Sequence, residues 1–242
     1  MGLSLRNNSG EIRLIWIIFL VILGPFVIDV AIGIIPLIYC IIRGIDLQAV
    51  ILQAVILQPG WGGALFLFVM AFRYVLVTWF MIVMLEKKPF SLTEIGLNWR
   101  KNNLLYIVCG VLLGIMSKSA LPLLLYVVST PPPSINFDSN ANFFLIMMSV
   151  IPNAFAEEIM FRAYLQTRMI GRLGVLWGVL LTSTLLIGLH FIVGKPGVFS
   201  LVYWIAFDGL SGYIYYRTRS LYFVTAFHST HEIIGKFNMN II

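Results

Sequence analysis

The stretch NLLYIVCGVLLGIMSKSALPLLLYVVS, residues 103–129, carries a single charged side chain, that of Lys118. A transmembrane helix needs about 20 consecutive, mostly apolar residues, so this stretch is long enough to cross a bilayer. Apolar runs of the same kind cover residues 14–42, 63–85, 142–166, 174–193, 199–216 and 221–238. The pattern predicts an all-α fold, a polytopic membrane helix bundle with about seven transmembrane helices.

The composition of the whole chain supports this fold class. Of its 242 residues, 60% are hydrophobic and only 11% are charged. A soluble domain typically has about 25% charged residues, so a soluble enzyme and a disordered chain are excluded. The formal net charge of +6 would suggest a nucleic-acid partner in a soluble protein. Here the basic residues collect in loops, so the expected partner is the lipid bilayer and no nucleic acid is expected.

The distribution of Lys and Arg between loops indicates the orientation of the chain. One set of alternate loops holds ten of these residues, and the other set holds three, Arg43, Lys195 and Lys236. The positive-inside rule then places the N-terminus in the cytoplasm and, with seven spans, the C-terminus outside. We expect one membrane domain with no soluble module.

Ionisable side chains at membrane depth are costly, about 2.5–3.5 kcal/mol each on insertion scales, so each needs a reason. The first three predicted spans contain one apiece, Asp29, Arg73 and Lys118, which we expect to pair across helices. The second half of the chain contains many more, including all three histidines of the protein: Glu157, Glu158, Arg162, His190, Asp208, His228, His231 and Glu232. This half is where chemistry is expected.

The segment AEEIMFR, residues 156–162, gives its two glutamates different roles. Glu158 and Arg162 are four positions apart and meet on one helix face in the favoured order. Glu157 points about 100° away, so it is aimed elsewhere. A carboxylate without that partner suits a general base or a metal ligand. The alternative is a structural ion pair with Glu157 reaching towards the membrane surface.

The histidines supply the remaining candidates. His190 stands alone in a Leu-rich run, and a single histidine in such a place is more often a hydrogen-bonded core residue. His228 and Glu232 are four apart on one face, with His231 next to Glu232. The order differs from the His-Glu-x-x-His zinc helix. Imidazoles and carboxylates from three helices nevertheless supply what a water-activating site or a divalent metal site requires.

These motifs, taken together and in order, resemble the CPBP family (CAAX protease and bacteriocin-processing, also called ABI) of intramembrane endopeptidases. The family pattern is Glu-Glu-x-x-x-Arg, a histidine in the next span, and His-x-x-x-(Asn/Asp) in a final span. The segment EKKPFSLTEIGL, residues 86–97, also looks like the loop that precedes the core in bacterial members. The resemblance implies N-terminal transmembrane helices with a cytoplasmic loop in residues 1–139, a catalytic core in residues 140–242, and a bacterial plasma membrane location.

The resemblance also implies roles for individual residues. Glu157 and His190 would activate a water for attack on a peptide carbonyl, with Glu158 and Arg162 as the supporting pair, and His228 would stabilise the oxyanion. Family members are described either with a metal or with only a polarised water. A divalent metal such as zinc, held by Glu157, His190, His228 and Glu232, therefore stays one alternative, and a site without any cofactor is the other.

The sequence departs from the family pattern at two places. Leu186 stands where the second motif has Phe, an exchange of one apolar side chain for another. Glu232 stands where the third motif has Asn or Asp. An amide donates a hydrogen bond to a developing oxyanion, whereas an ionised carboxylate repels it. Glu232 must therefore be protonated, bind a metal, or leave this task to His228 or His231.

The sequence thus predicts an endopeptidase that cleaves a membrane-associated protein or peptide. Two other classes stay open. Glu232 favours a non-proteolytic membrane partner with the same fold, such as an immunity or scaffold protein. The buried charges would also serve an ion path in a transporter.

Overall fold

The computed structural model describes residues 15–18, 21, 23–24, 41–44, 75, 78–79, 91–99, 101–128, 143–193 and 198–237. Side chains are described in these ranges except at 119–128, 143–145, 189–193, 198–200 and 236–237. Within this part of the chain the secondary structure consists of helices and turns. Most of the first two predicted spans lies outside the described residues, and so do Asp29 and Arg73.

The helices between residues 103 and 237 follow the predicted spans. They are α1 Asn103–Val128, α2 Phe143–Glu158, α3 Thr167–Val193, α4 Val198–Thr218 and α5 Leu221–Phe237, with a π-helical segment, Ile159–Gln166, joining α2 to α3. Among the described residues, one helical run, Ile146–Gly188, is long and apolar enough to cross a membrane, and Asn103–Lys118 is a shorter apolar helix. The helical bundle is confirmed, whereas the number of seven transmembrane helices is not.

The run Ile146–Gly188 folds back on itself at Gly174. This glycine has φ 80° and ψ 171°, a conformation that side chains with a Cβ rarely adopt. Beyond it, the Thr182 hydroxyl lies 3.2 Å from the sulfur of Met169, so the two arms run alongside each other. A Cβ on Gly178 would lie 2.7 Å from the backbone nitrogen of Ile170, which shows how closely the arms approach. The first arm ends at Gly174, about two turns beyond the predicted end at residue 166.

Helix α1 packs against α5 through two glycines, and this is the most extensive helix contact in the described part of the chain. A Cβ on Gly110 would lie 2.5 Å from the carbonyl oxygen of Phe223, and one on Gly114 would lie 2.7 Å from that of Phe227. Small residues four positions apart allow two helix backbones to approach closely in a membrane. The contact brings the next turn of α1, with Ser117 and Lys118, to the part of α5 that follows His228.

The π-helical segment forms the centre of the described core. All eight of its residues are buried. A π-helix bonds residue i to residue i+5 and occurs mostly as short insertions, frequently at functional sites. The apolar members of the segment pack against α3, α4, α5 and the loop 91–99 in one cluster, which includes Leu186, Tyr215, Leu221, Val224 and Ile95. The segment therefore holds Arg162 in the middle of the bundle.

The loop 91–99 is attached to the junction of α4 and α5 by backbone carbonyls. Tyr215 and Tyr222 donate their hydroxyl protons to the carbonyls of Ile95 and Leu97, each at 3.2 Å. The amide of Leu221 donates to the carbonyl of Gly96, also at 3.2 Å. Gly96 has φ 81°. This loop fixes the start of α5, the helix that carries the third motif.

Candidate active site

The supporting ion pair of the first motif extends to a third residue. Arg162 Nε lies 3.4 Å from Glu158 Oε2, the pair that the four-residue spacing predicts. Arg162 Nη2 also lies 2.8 Å from Asp208 Oδ1 on α4, and Nη1 lies 3.5 Å from the hydroxyl of Ser183 on α3. The side chains of Arg162, Glu158 and Asp208 are at most 3% exposed. This buried network joins α2, α3 and α4.

His228 lies between the two adjacent glutamates of the first motif. Its Nδ1 is 2.9 Å from Glu158 Oε1, and its Nε2 is 3.9 Å from Glu157 Oε2. Nε2 also lies 3.5 Å from Glu232 Oε1, one helical turn further along α5. The two glutamates point in different directions, as their adjacent positions predict, and they reach opposite nitrogens of the same ring.

The hydrogen bonds of Glu158 fix the orientation of the His228 ring. An ionised carboxylate can only accept hydrogen bonds, so Nδ1 of His228 carries the proton of the 2.9 Å contact. Ser211 of α4 approaches the same carboxylate, with its hydroxyl 3.4 Å from Oε1. Nε2 is then the nitrogen that faces Glu157 and Glu232 and is available for chemistry.

Glu157 and Glu232 are the more accessible carboxylates of the site. Their side chains are 17% and 23% exposed, compared with 1% for Glu158. Asn153, one turn before Glu157 on α2, donates from Nδ2 to Glu157 Oε1 at 2.9 Å. This bond leaves Oε2 directed at Nε2 of His228. A carboxylate held in this way, and partly open, has the geometry of a general base.

The second motif is only partly described. His190 lies in α3, and its side chain is outside the described residues. Leu186, which stands where the family has Phe, is 2% exposed and packs in the core cluster. The pairing of His190 with Glu157 therefore stays a prediction.

His231 lies in a separate polar contact between α1, α4 and α5. The Ser117 hydroxyl donates to the carbonyl of Gly114 at 2.9 Å, and the Tyr203 hydroxyl donates to the carbonyl of Ser117 at 3.1 Å. Since each hydroxyl has one proton, His231 Nδ1 donates to Ser117 Oγ at 3.0 Å. The ring of Phe207 lies 4.0 Å from that of His231. His231 thus joins three helices.

The metal set predicted from the sequence consists of Glu157, His190, His228 and Glu232. Among the described residues, no group of three or more His, Cys, Asp or Glu side chains is arranged to hold a metal ion. With Nδ1 of His228 bonded to Glu158, Nε2 is the atom this histidine could offer to a metal. The three described members do not fit a metal ion by themselves, and the full set stays a prediction.

Three residues of the site carry no role in the sequence prediction. Asn153 is four positions before Glu157, and the same spacing rule that found Arg162 points to it. Asp208 was noted as a buried charge without a partner, and Ser211 lies on the same helix. Neither could be assigned, because a single sequence does not show how α4 is rotated against the π-helical segment.

The comparison with known proteins concerns the same part of the chain. Residues 139–234 match the family model described as Type II CAAX prenyl endopeptidase Rce1-like. The matched range includes all three motifs, from Glu157 to Glu232. No curated protein and no solved structure matches the chain. The part of the chain that forms the candidate site, residues 139–234, therefore belongs to the CAAX protease family of membrane-embedded proteins.

Proposed function

We propose that this protein is an intramembrane endopeptidase that hydrolyses a peptide bond of a membrane-associated protein or peptide. We further propose that it lies in a bacterial plasma membrane with its N-terminus in the cytoplasm. The observation that carries the enzymatic proposal is the position of His228 between Glu158 and Glu157. One carboxylate is buried and fixes the ring, and the other is partly open and held by Asn153.

In the proposed reaction, Glu157 accepts a proton from a water molecule as the water oxygen attacks the peptide carbonyl carbon. The carbonyl oxygen becomes an oxyanion, and Glu157 then returns the proton to the leaving amine nitrogen. His190, the second-motif histidine, helps to orient the water. His228 stabilises the oxyanion when Nε2 also carries a proton, since both ring nitrogens are then donors. Glu158 and Arg162 hold this ring in place and do not touch the substrate.

The test is to replace Glu157, His190 and His228 separately by alanine and to measure turnover of a cleavable reporter peptide by the purified proteins. We expect each replacement to reduce kcat by at least about a hundredfold, the usual contribution of one positioned acid–base or oxyanion group. Leu176→Ala, at an exposed position of α3, is the matched control and should leave turnover unchanged. Wild-type turnover by all three site variants would contradict the proposal.

The role of a metal is tested on the same protein. We propose a metal-independent water, because the family residue at position 232 is a neutral amide. Metal content and turnover, measured before and after treatment with a chelator, should then be unrelated. Glu232→Asn should retain activity. If Glu232 were a ligand of a divalent metal such as zinc, this variant would instead lose about tenfold or more in metal affinity.

A second candidate function is a non-proteolytic membrane partner, such as an immunity or scaffold protein. The observation that favours it is the carboxylate of Glu232, 3.5 Å from Nε2 of His228, where the family has Asn or Asp. Rescue of a deletion phenotype by the Glu157→Ala protein would support this function. Loss of rescue at normal expression would support proteolysis.

A further inference from the structure

The exchange of a neutral amide for Glu232 adds a negative charge to a site that already contains three carboxylates, Glu157, Glu158 and Asp208. Arg162 is shared between Glu158 and Asp208, with 3.4 Å and 2.8 Å contacts, so its charge is already engaged. An ionised group at membrane depth needs a partner of opposite charge. The added carboxylate therefore calls for a compensating cation.

Lys118 is placed to provide this cation. It follows Gly110 and Gly114 at intervals of four residues, so it continues the face of α1 that packs on α5. Its side chain crosses Gly235 of α5, where a Cβ would lie 3.0 Å from Lys118 Cε and 3.1 Å from Nζ. Gly235 is three positions after Glu232 and lies on the same helix face. The charge of Lys118 acts directly on Glu232.

The same contact explains how a flexible, charged side chain is held in this place. The close approach at Gly110 and Gly114 sets the distance between the two backbones. The absence of a side chain at Gly235 leaves space for the aliphatic part of Lys118. The neighbouring polar contact between Ser117 and His231, 3.0 Å, fixes the preceding residue of α1 against α5.

We propose that Lys118 is the counter-charge of Glu232 and a positioning residue of the site. It balances the carboxylate that this chain has in place of the family's amide and keeps it ionised and in place. The inference rests on the proposed function as far as turnover is concerned. The pair Lys118 and Glu232 together adds no net charge, so the site has the same balance as with a neutral amide. Glu232 is then neither the oxyanion donor nor a metal ligand, and His228 is left with the oxyanion.

The test is a double-mutant cycle with Lys118→Met, Glu232→Asn and the protein carrying both changes, followed by kcat and KM. In the wild-type background, Lys118→Met should lower kcat about tenfold or more, because an unbalanced carboxylate then faces Nε2 of His228. In the Glu232→Asn background the same change should alter kcat by less than about twofold. KM should change little in either background. Lys118→Arg should retain most of kcat, because it keeps the charge.

Met116→Ala is the matched control, since Met116 is 65% exposed on the same helix. Equal effects of Lys118→Met in both backgrounds would overturn the inference. A purely structural lysine would lower the unfolding temperature in both backgrounds and would leave kcat unchanged.

A second readout separates this inference from the proposed function. If the wild-type protein cleaves no reporter, the proposed function fails, while the charge pair can still be measured by thermal unfolding in detergent. Lys118→Met should then lower the unfolding temperature in the wild-type background and not in the Glu232→Gln background. Additive shifts in this second cycle would overturn the pairing itself.

Discussion

Nδ1 of His228 lies 2.9 Å from Oε1 of Glu158, although the two residues are 70 positions apart and on different helices. This contact fixes the ring about its side-chain bonds and directs Nε2 at Glu157 and Glu232. Glu158 is in turn held by Arg162, which is held by Asp208. The geometry at the partly open side of the site thus depends on a buried network behind it.

The two adjacent glutamates should respond differently to the loss of their charge. Glu158→Gln removes the acceptor of His228 and leaves Arg162 with one carboxylate, so both turnover and stability should fall, the latter by about 3 kcal/mol or more. Glu157→Gln should abolish turnover with a much smaller loss of stability, because Glu157 is more exposed and bonded to Asn153. Reporter cleavage and thermal unfolding in detergent measure the two effects. Equal loss of stability in both variants would contradict the assignment.

Asp208 should be a major determinant of stability although it does not face Nε2 of His228. Asp208→Asn removes the charge that lies 2.8 Å from Arg162 and should cost about 3–5 kcal/mol, the usual effect of breaking a buried ion pair. Leu210→Ala, at a position 41% exposed on the same helix, is the control and should shift the unfolding temperature far less. A variant as stable as the wild type would show that Arg162 has sufficient charge balance without Asp208.

Asn153 should contribute to turnover by orienting Glu157. Asn153→Ala removes a 2.9 Å hydrogen bond to the carboxylate, and we expect kcat/KM to fall about tenfold. Ser149→Ala, one turn earlier on α2, removes only a bond to the carbonyl of Ile146 and serves as the control. If both variants cleave the reporter at the wild-type rate, Glu157 is oriented by other groups.

The glycine contact between α1 and α5 should tolerate no added side chain. Gly114→Ala places a Cβ 2.7 Å from the carbonyl oxygen of Phe227, and the forced separation should cost about 1–3 kcal/mol. Gly171→Ala adds the same group where no atom lies within 4 Å and should be neutral or stabilising, since alanine favours a helix. The unfolding temperatures of the two variants should move in opposite directions or differ by several degrees. Equal shifts would mean that the two helices are less closely packed.

The sequence predicts those features of the fold that depend on local spacing. The apolar runs locate the helices between residues 103 and 237. The four-residue intervals locate the pair Glu158–Arg162 and place Glu232 beside His228. These relations follow from helix geometry alone, because residues four apart share a face whatever the helix packs against.

The relations between helices could not be predicted in the same way. The contact between Arg162 and Asp208, and the position of His228 between two glutamates, depend on how each helix is rotated about its axis. The π-helical segment adds to this, since its hydrogen bonds change the direction of side chains after residue 158. The end of the first arm of Ile146–Gly188 at Gly174 depends on a single glycine conformation, and the apolar pattern alone did not reveal it.

The loop 91–99 has a consequence for which changes the protein can accept. Its bonds to the α4–α5 junction are made by carbonyls of residues 95, 96 and 97, and every residue type has this group. Exchanges at outward-facing loop positions such as Leu92 and Glu94 should therefore be tolerated, whereas deletion of one residue would shift all three acceptors out of reach. Gly96 is the exception, because a Cβ there would overlap the carbonyl oxygen of Arg219. In this loop the length of the chain, more than the identity of its side chains, holds the third motif in register with the first.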